Sequence, residues 1–292
     1  MNSNSSDVLK DRVVVITGSA RGMGRAYAHG FLAAGAKVVA TDKSWAGAEP
    51  LSAELGREGE NLLLADMDVT NVGQIDNAYQ AAIDRFGTVD ALINNAAMRQ
   101  RDLFPPTGRI TTLETKDSDW EKSFGVNIFG ALKVIRRFIQ PMIEKRRGSI
   151  INVVSSGILN HSRGGAYMAL RPDSREMPYQ SSKAALACVS FYLANEVAEH
   201  NVAVNIVVPG HTRTTGFDEQ NRARMSANRA PGPQPVVPEH IVPIVLHLAA
   251  QDASIITGRM FDAMQWNLEH GLGGHKAWSD RSFSYDSLMR RG

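Results

Sequence analysis

The chain has 292 residues, 43% of them hydrophobic and 21% charged, which suits a globular protein with a substantial core and excludes a disordered chain or a coiled coil. Its 32 basic and 30 acidic residues nearly cancel, so no global field favours nucleic acid or an anionic membrane. A single cysteine, Cys188, excludes an internal disulfide and a paired-cysteine metal site, and neither a signal-peptide core nor a membrane-length apolar run is present. The expectations are a cytoplasmic protein with no nucleic-acid partner, no membrane partner and no metal.

Residues 13–16 (VVVI) are a β-branched run leading into glycines, the pattern of a buried parallel strand. Residues 22–34 carry Met23, Ala26, Tyr27, Phe31 and Ala34 at helical spacing, closed by Gly35. Residues 37–41 and 62–65 predict the second and third strands, with one amphipathic helix over 72–86 following. A fourth strand is centred on Leu92 and Ile93, and one long helix is expected over 117–146. Strand 150–154, helix 179–198, strand 202–208, helix 239–250 (despite Pro243) and a weaker strand at 258–262 complete the pattern.

Strands that are hydrophobic throughout and alternate with helices mean a parallel sheet covered on both faces. The expected fold is α/β: a single-domain, doubly wound, Rossmann-type sheet of about seven strands. A polar leader at 1–12, one domain at 13–262 and a tail at 263–292 make up the chain; the Pro-rich 231–238 is a loop within the domain.

Thr17 through Gly24 (TGSARGMG) follow the first strand and open the first helix, where a dinucleotide pyrophosphate docks. Gly18, Gly22 and Gly24 would let the backbone turn tightly and approach phosphates, with Arg21 and Met23 beside them; a plain tight strand-to-helix connection is the alternative. The second strand ends in Asp42, 24 residues after Gly18. A carboxylate there can accept from the adenosine ribose hydroxyls and repels a 2′-phosphate, which favours NAD, unless it is merely a solvated strand end. Lys43 and Arg21 stand close by and keep NADP open.

Tyr179 and Lys183 lie four apart, so a helix projects both from one face. A neighbouring ammonium stabilises phenolate and brings a tyrosine toward acid/base work near neutral pH. TGSARGMG, Asp68-Val69, NNAA at 94–97, Asn127 in VNIFG, Ser155 after INVV, YQSSK at 179–183, and Pro209-Gly210 with Thr214 occur in order. On these residues the chain resembles a short-form member of the short-chain dehydrogenase/reductase family over residues 13–262.

The resemblance implies a catalytic set. Tyr179 would exchange a proton with the substrate oxygen, Ser155 would polarise that oxygen, and Lys183 would hold the nicotinamide ribose and lower the tyrosine pKa. Asn127 would hold a water continuing the proton relay, or only bridge backbone groups. Asp68 and Val69 would contact adenine, Asn95 and Ala96 would line the adenosine side, and Thr212 and Thr214, after Pro209, would hold the carboxamide. It also implies a homo-oligomer, commonly a tetramer. The expected activity is NAD-dependent oxidation of a secondary alcohol, or the reverse ketone reduction. An NADPH-dependent carbonyl reductase and a non-catalytic NAD-binding regulator are the alternatives.

Several features depart from the family pattern. Ala97 stands where glycine is usual, the mildest such change. The interval from Ser155 to Tyr179 is long, and Tyr167 sits at the ordinary spacing as a decoy, followed by Arg171 rather than a compact ammonium. Insertions at 98–112 and 157–178 follow strand ends, where ligands bind in such sheets. They carry Arg99, Arg101, Arg109, Arg163, Arg171 and Arg175 against Asp102, Asp173 and Glu176, which either suits an acidic or polyhydroxylated substrate or is a solvated excess. The tail holds Trp266, His270, His275, Trp278, Phe283 and Tyr285, too aromatic for a frayed end, and is expected to cap a neighbouring subunit's pocket or lie in an interface. Cys188, among alanines, is expected to be buried.

Overall fold

The run Val13–Thr17 is buried along its whole length and forms strand β1 at the centre of the molecule. In this computed structural model residues 9–48, 56–105, 110–158, 177–228 and 232–290 are described. Seven strands form one parallel sheet in the order β3-β2-β1-β4-β5-β6-β7. They are β2 (Lys37–Asp42), β3 (Leu62–Asp66), β4 (Ala91–Asn94), β5 (Gly148–Val153), β6 (Val202–Val208) and β7 (Met260–Asp262) beside β1. Strand β1 pairs Val14 with Val38 on one side and Val15 with Leu92 on the other. Chain order reverses between those two neighbours, which opens a crevice at the strands' carboxyl ends.

Alternate residues of each strand feed two cores, one on each face. On one face Tyr27 and Phe31 of α1 (Gly22–Ala33) pack with Ile244, Val245 and Leu248 of α9 (Val242–Ala249). On the other, Ile75 and Ala78 of α2 (Val72–Phe86) pack with Val134 and Phe138 of α5 (Ala131–Phe138). Between them in sequence lie α3 (Gln100–Leu103), α4 (Asp117–Phe124), α6 (Gln140–Glu144), α7 (Met177–Val197) and α8 (Thr215–Ser226). Among the described residues no helix is long and apolar enough to cross a membrane.

The structure departs from the sequence expectations, or explains them, at several points. The helix expected over 117–146 is interrupted by a π-type turn at Gly125–Gly130, and Pro141 opens the separate α6. Pro243 is tolerated because it lies in the first turn of α9, after a 3-10 turn at Pro238–Ile241, where a missing N–H breaks no helical bond. Leu9 and Arg12 pack into the fold, with Arg12 Nη1 donating to Ala249 O at 3.3 Å, so the polar leader ends before them. Cys188 is exposed, not buried. The inward face of α7 is Ser182, Lys183, Leu186, Ala187 and Ser190, and Cys188 points away from it with the exposed Phe191 and Tyr192. Neighbouring alanines suit every face of a helix, so they carried no information about burial.

The tail is folded as α10 (Ala263–Glu269), α11 (His275–Trp278) and α12 (Tyr285–Arg290).

Close approach of the π-type turn to the loop after β3 requires glycine at 130, where a Cβ would stand 2.7 Å from Val69 Cγ2. Gly130→Ala should therefore cost about 1–3 kcal/mol of stability, read as a lower midpoint in urea unfolding. An unchanged midpoint would show that Val69 can yield.

Candidate active site

At one end of the crevice β1 runs into Gly18 (φ 72°) and Gly22 (φ 59°), left-handed conformations that favour glycine. A Cβ on Gly24 would collide with Gly18 O; Gly24 therefore serves close packing of helix on strand. Arg21, at the N-cap of α1, makes no side-chain capping bond, and the first-turn N–H groups have no intrahelical partner. That is the arrangement that receives a phosphate.

Thr17 stitches β1 to β4. Its Oγ1 accepts from Asn95 N at 3.0 Å and Ala96 N at 2.9 Å, while Asn95 Nδ2 donates to Thr17 O and Gly18 O, each at 3.0 Å. Asp42 accepts from Ala20 N at 2.9 Å and from Ser44 N at 3.2 Å. Asp68 accepts from Thr70 N and Oγ1. Burial alone would raise its carboxyl pKa, but those bonds with nearby Lys43 and Lys133 outweigh burial and hold it below the usual range.

At the other end Lys183 is 2% exposed and donates from Nζ to Val153 O at 2.8 Å. Burial first, and the charge of Arg99 second, push its pKa down to about 7. Tyr179 and Ser155 line the same cleft, and Ser155 Oγ accepts from Gly157 N at 3.4 Å. The side chain of Asn127 is 1% exposed and lies behind the cleft. Its Oδ1 accepts from Met98 N at 2.9 Å, and its Nδ2 donates to Met98 O at 2.9 Å and Ser182 Oγ at 2.8 Å. Ser182 Oγ in turn donates to Tyr179 O at 2.7 Å. The Asn127 amide thereby clamps the start of the 98–112 insertion to the turn of α7 that carries Tyr179.

The cleft encloses about 1140 Å3. Gly18, Arg21, Gly22, Met23, Asp42, Lys43, Asp68, Val69, Asn95, Ala96, Pro209, Thr212 and Thr214 line it with Ser155, Tyr179 and Lys183; Gly24 and Asn127 stand behind its wall. Thr212 Oγ1 donates to Gly210 O at 3.1 Å, and Thr214 N-caps α8 by accepting from Phe217 N at 3.2 Å. Gly210 N donates to His240 Nε2 at 3.0 Å, and burial lowers the His240 pKa to about 4, keeping the ring neutral and able to accept. Ala97 is exposed, so its methyl has room.

Of the arginine excess, Arg99 lines the cleft and donates from Nη1 to Thr214 Oγ1 at 3.3 Å, and Arg101 pairs with Asp102 and Glu219. Arg109, Arg163, Arg171, Arg175 and the decoy Tyr167 lie outside the described residues. His270 stacks on Trp266 with centroids 3.9 Å apart. Sequence reasoning missed Thr17, Ser182, His240 and Phe217 as site residues. Thr17 and Ser182 sit inside motifs already singled out, whereas no local signal marks His240 or Phe217.

A family model described as short chain dehydrogenase matches residues 12–225. The fluoren-9-ol dehydrogenase of Terrabacter sp. (strain DBF63) is 50% identical over 275 residues, covering 94% of this chain and 77% of that protein. The 3-oxoacyl-acyl-carrier-protein reductase of Salmonella typhimurium is 31% identical over 254 residues, 85% of this chain and 93% of the relative. A hydroxy(phenyl)methylsuccinyl-CoA dehydrogenase subunit of Thauera aromatica is 30% identical over 254 residues, 86% and 94% of the two chains.

Two expectations follow from this geometry. Lys183 falls from 10.5 to about 7 on folding, so between those values the unfolded chain binds more protons and stability rises with pH. Below pH 7 the full cost of the buried ammonium is present. Lys183→Met should therefore raise the Tm of the nucleotide-free protein most at pH 6, with the gain shrinking toward pH 10; an equal gain at both would refute the shift. Thr17→Val leaves two loop N–H groups without their acceptor and should cost about 1–3 kcal/mol, with weaker dinucleotide binding in calorimetry. Unaltered binding would show that the stitch is dispensable.

Proposed function

The chain belongs to the short-chain dehydrogenase/reductase family, and from that premise we propose that it is an NAD-dependent dehydrogenase converting a polycyclic aromatic secondary alcohol of the fluoren-9-ol kind to its ketone. It is an oxidoreductase acting on alcohols or ketones. The observation that carries the finer reading is one cleft with Ser155, Tyr179 and Lys183 at one end and Asp42 at the other.

The left-handed Gly18 and Gly22 and the uncapped first turn of α1 fit a dinucleotide pyrophosphate. Asp42, at the end of β2, suits ribose hydroxyls and opposes a 2′-phosphate. When bound, nicotinamide dinucleotide supplies the hydride acceptor. Tyr179 accepts the alcohol proton at its phenol oxygen, and Ser155 donates a hydrogen bond to the same substrate oxygen. Lys183 supplies the positive charge that favours phenolate, and its ammonium would hold the ribose of the cofactor. Asn127 positions this arrangement by tying the loop at Met98 to α7 at Ser182. Asp68, Val69, Asn95 and Ala96 border the adenosine side, and Thr212 and Thr214 the carboxamide.

The substrate class is carried by the 50% identity to a fluoren-9-ol dehydrogenase and by Met98, Val126 and Phe217 in the cleft wall. A second reading, ketone reduction with NADPH, is favoured by Arg21 and Lys43 at the nucleotide end and by the relatives named as reductases. The exposed Phe129, Phe191 and Tyr192 support a homo-oligomer; the number of subunits we assign is four, and the compartment the cytoplasm.

The test is NADH formation from fluoren-9-ol, followed by absorbance. Tyr179→Phe should lower kcat about 10²–10⁴-fold while NAD still binds. More than about a hundredth of parental turnover in that variant, or a crippled Tyr167→Phe instead, overturns the assignment. Asp42→Ala should move preference from NAD toward NADP, and an unmoved ratio favours the second reading.

A further inference from the structure

The aromatic tail does not trail away from the domain: it packs behind the wall of the cleft on the α8 side. Ser279 bridges to Val236 as an antiparallel neighbour, Val237 N donates to Trp278 O at 3.0 Å, and Asp280 N donates to Pro235 O at 2.9 Å. Gln234 Nε2 adds a bond to Asp280 O at 3.0 Å, and Tyr285 Oη donates to Gly232 O. The segment from Gly232 to Val237 is thus held by the tail along its length. That segment also grips α8, because Gly232 N donates to Asn221 Oδ1 at 2.7 Å and Asn221 Nδ2 donates to Phe217 O at 2.9 Å.

A second connection runs through side chains. Arg213, between the two cleft threonines Thr212 and Thr214, faces away from the cleft into the tail. Its guanidinium takes Asp218 through Nε at 3.2 Å and Nη2 at 3.2 Å, and Asp280 through Nη1 at 2.9 Å, with Ser282 Oγ at 3.0 Å. The same guanidinium lies 5.2 Å from the centroid of Phe283, in cation–π range. Phe283 is 5% exposed and meets Phe217 edge-on, with centroids 5.7 Å apart at 71°. Tyr285 closes its other side at 4.9 Å. Phe217 is the member of this aromatic row that reaches the cleft.

We propose that the C-terminal segment is a specificity element of its own subunit: Phe283, clamped by Arg213, holds Phe217 as the apolar wall against which the non-reacting rings of an aromatic alcohol pack. The inference rests on the functional reading above for the nature of the alcohol. Phe283 and Arg213 are positioning residues, acting through Phe217. Phe283 is the cleaner of the two to vary, since Arg213 adjoins the threonines expected at the cofactor. A tail of merely structural value would alter stability and leave the substrate side of the cleft as it was.

The experiment uses the full-length protein and measures KM and kcat for fluoren-9-ol, NAD affinity by calorimetry, and hydrogen exchange across α8. Phe283→Ala should raise KM by up to about tenfold, the value of one aromatic pair, with NAD affinity unchanged and faster exchange in α8. Phe283→Leu, which keeps apolar volume, should recover part of the KM. In a Phe217→Ala background Phe283→Ala should add less than about twofold, because contacting residues are not additive. Multiplying factors in that cycle, or an unchanged KM with intact parental turnover, overturns the proposal. If the parent protein does not oxidise fluoren-9-ol, the functional reading fails by itself. Exchange in α8 then decides the buttress: unchanged protection in Phe283→Ala would overturn it.

Discussion

The site depends on holding together two strands whose connections run in opposite directions. Because β1 is flanked by β2 on one side and β4 on the other, the chain leaves the sheet both ways at this point, and a crevice opens between the loops. Thr17 closes the base of that crevice. Its hydroxyl takes the N–H groups of Asn95 and Ala96, and the Asn95 amide returns two bonds to the end of β1. The glycines after β1 keep their left-handed turns against this fixed floor, where a Cβ at Gly18 would already stand 3.0 Å from Ala96 Cα. That stitch helps fix the first turn of α1 relative to the loop after β4.

The end of the cleft that holds Lys183 is organised by a cost. An ammonium buried as deeply as that of Lys183 is unfavourable in the free protein, and its one carbonyl partner at Val153 does not compensate for lost water. Arg99 adds a second positive charge near the same place. A ligand presenting hydroxyl acceptors to both cations would offset that cost. Asn127 and Ser182 restrict the response: they tie Met98 to the turn of α7 bearing Tyr179, so that the insertion carrying Arg99 and the phenol of Tyr179 share one anchor.

Much of this is legible in the sequence. Uniformly apolar runs marked six strands and the weaker seventh, because a parallel strand covered on both faces needs no polar alternation. The glycines, Asp42, Ser155, Tyr179 and Lys183 were legible because each motif is short and its chemistry local. The interruption at Gly125–Gly130 was not, since the residues there are compatible with continuous helix and the deviation serves Asn127's bonds to Met98 and Ser182, residues remote in sequence. Cys188 was misjudged for a related reason: its alanine neighbours surround the helix, and the buried stripe is decided by what α7 packs on.

The tail shows where the division falls. Its aromatic content alone showed that it had to be covered, because so much apolar surface is not left in water. Whether it covered a neighbour or its own subunit depended on Arg213 meeting Asp280 and on Phe283 meeting Phe217, contacts spanning more than sixty positions. The sequence by itself therefore determined the sheet, its helices and the residue types at the crevice, through periodicity and short motifs. Only the tertiary structure decided which side chains answer one another across the cleft, since those pairings follow from the sheet's strand order and leave no periodic trace along the chain.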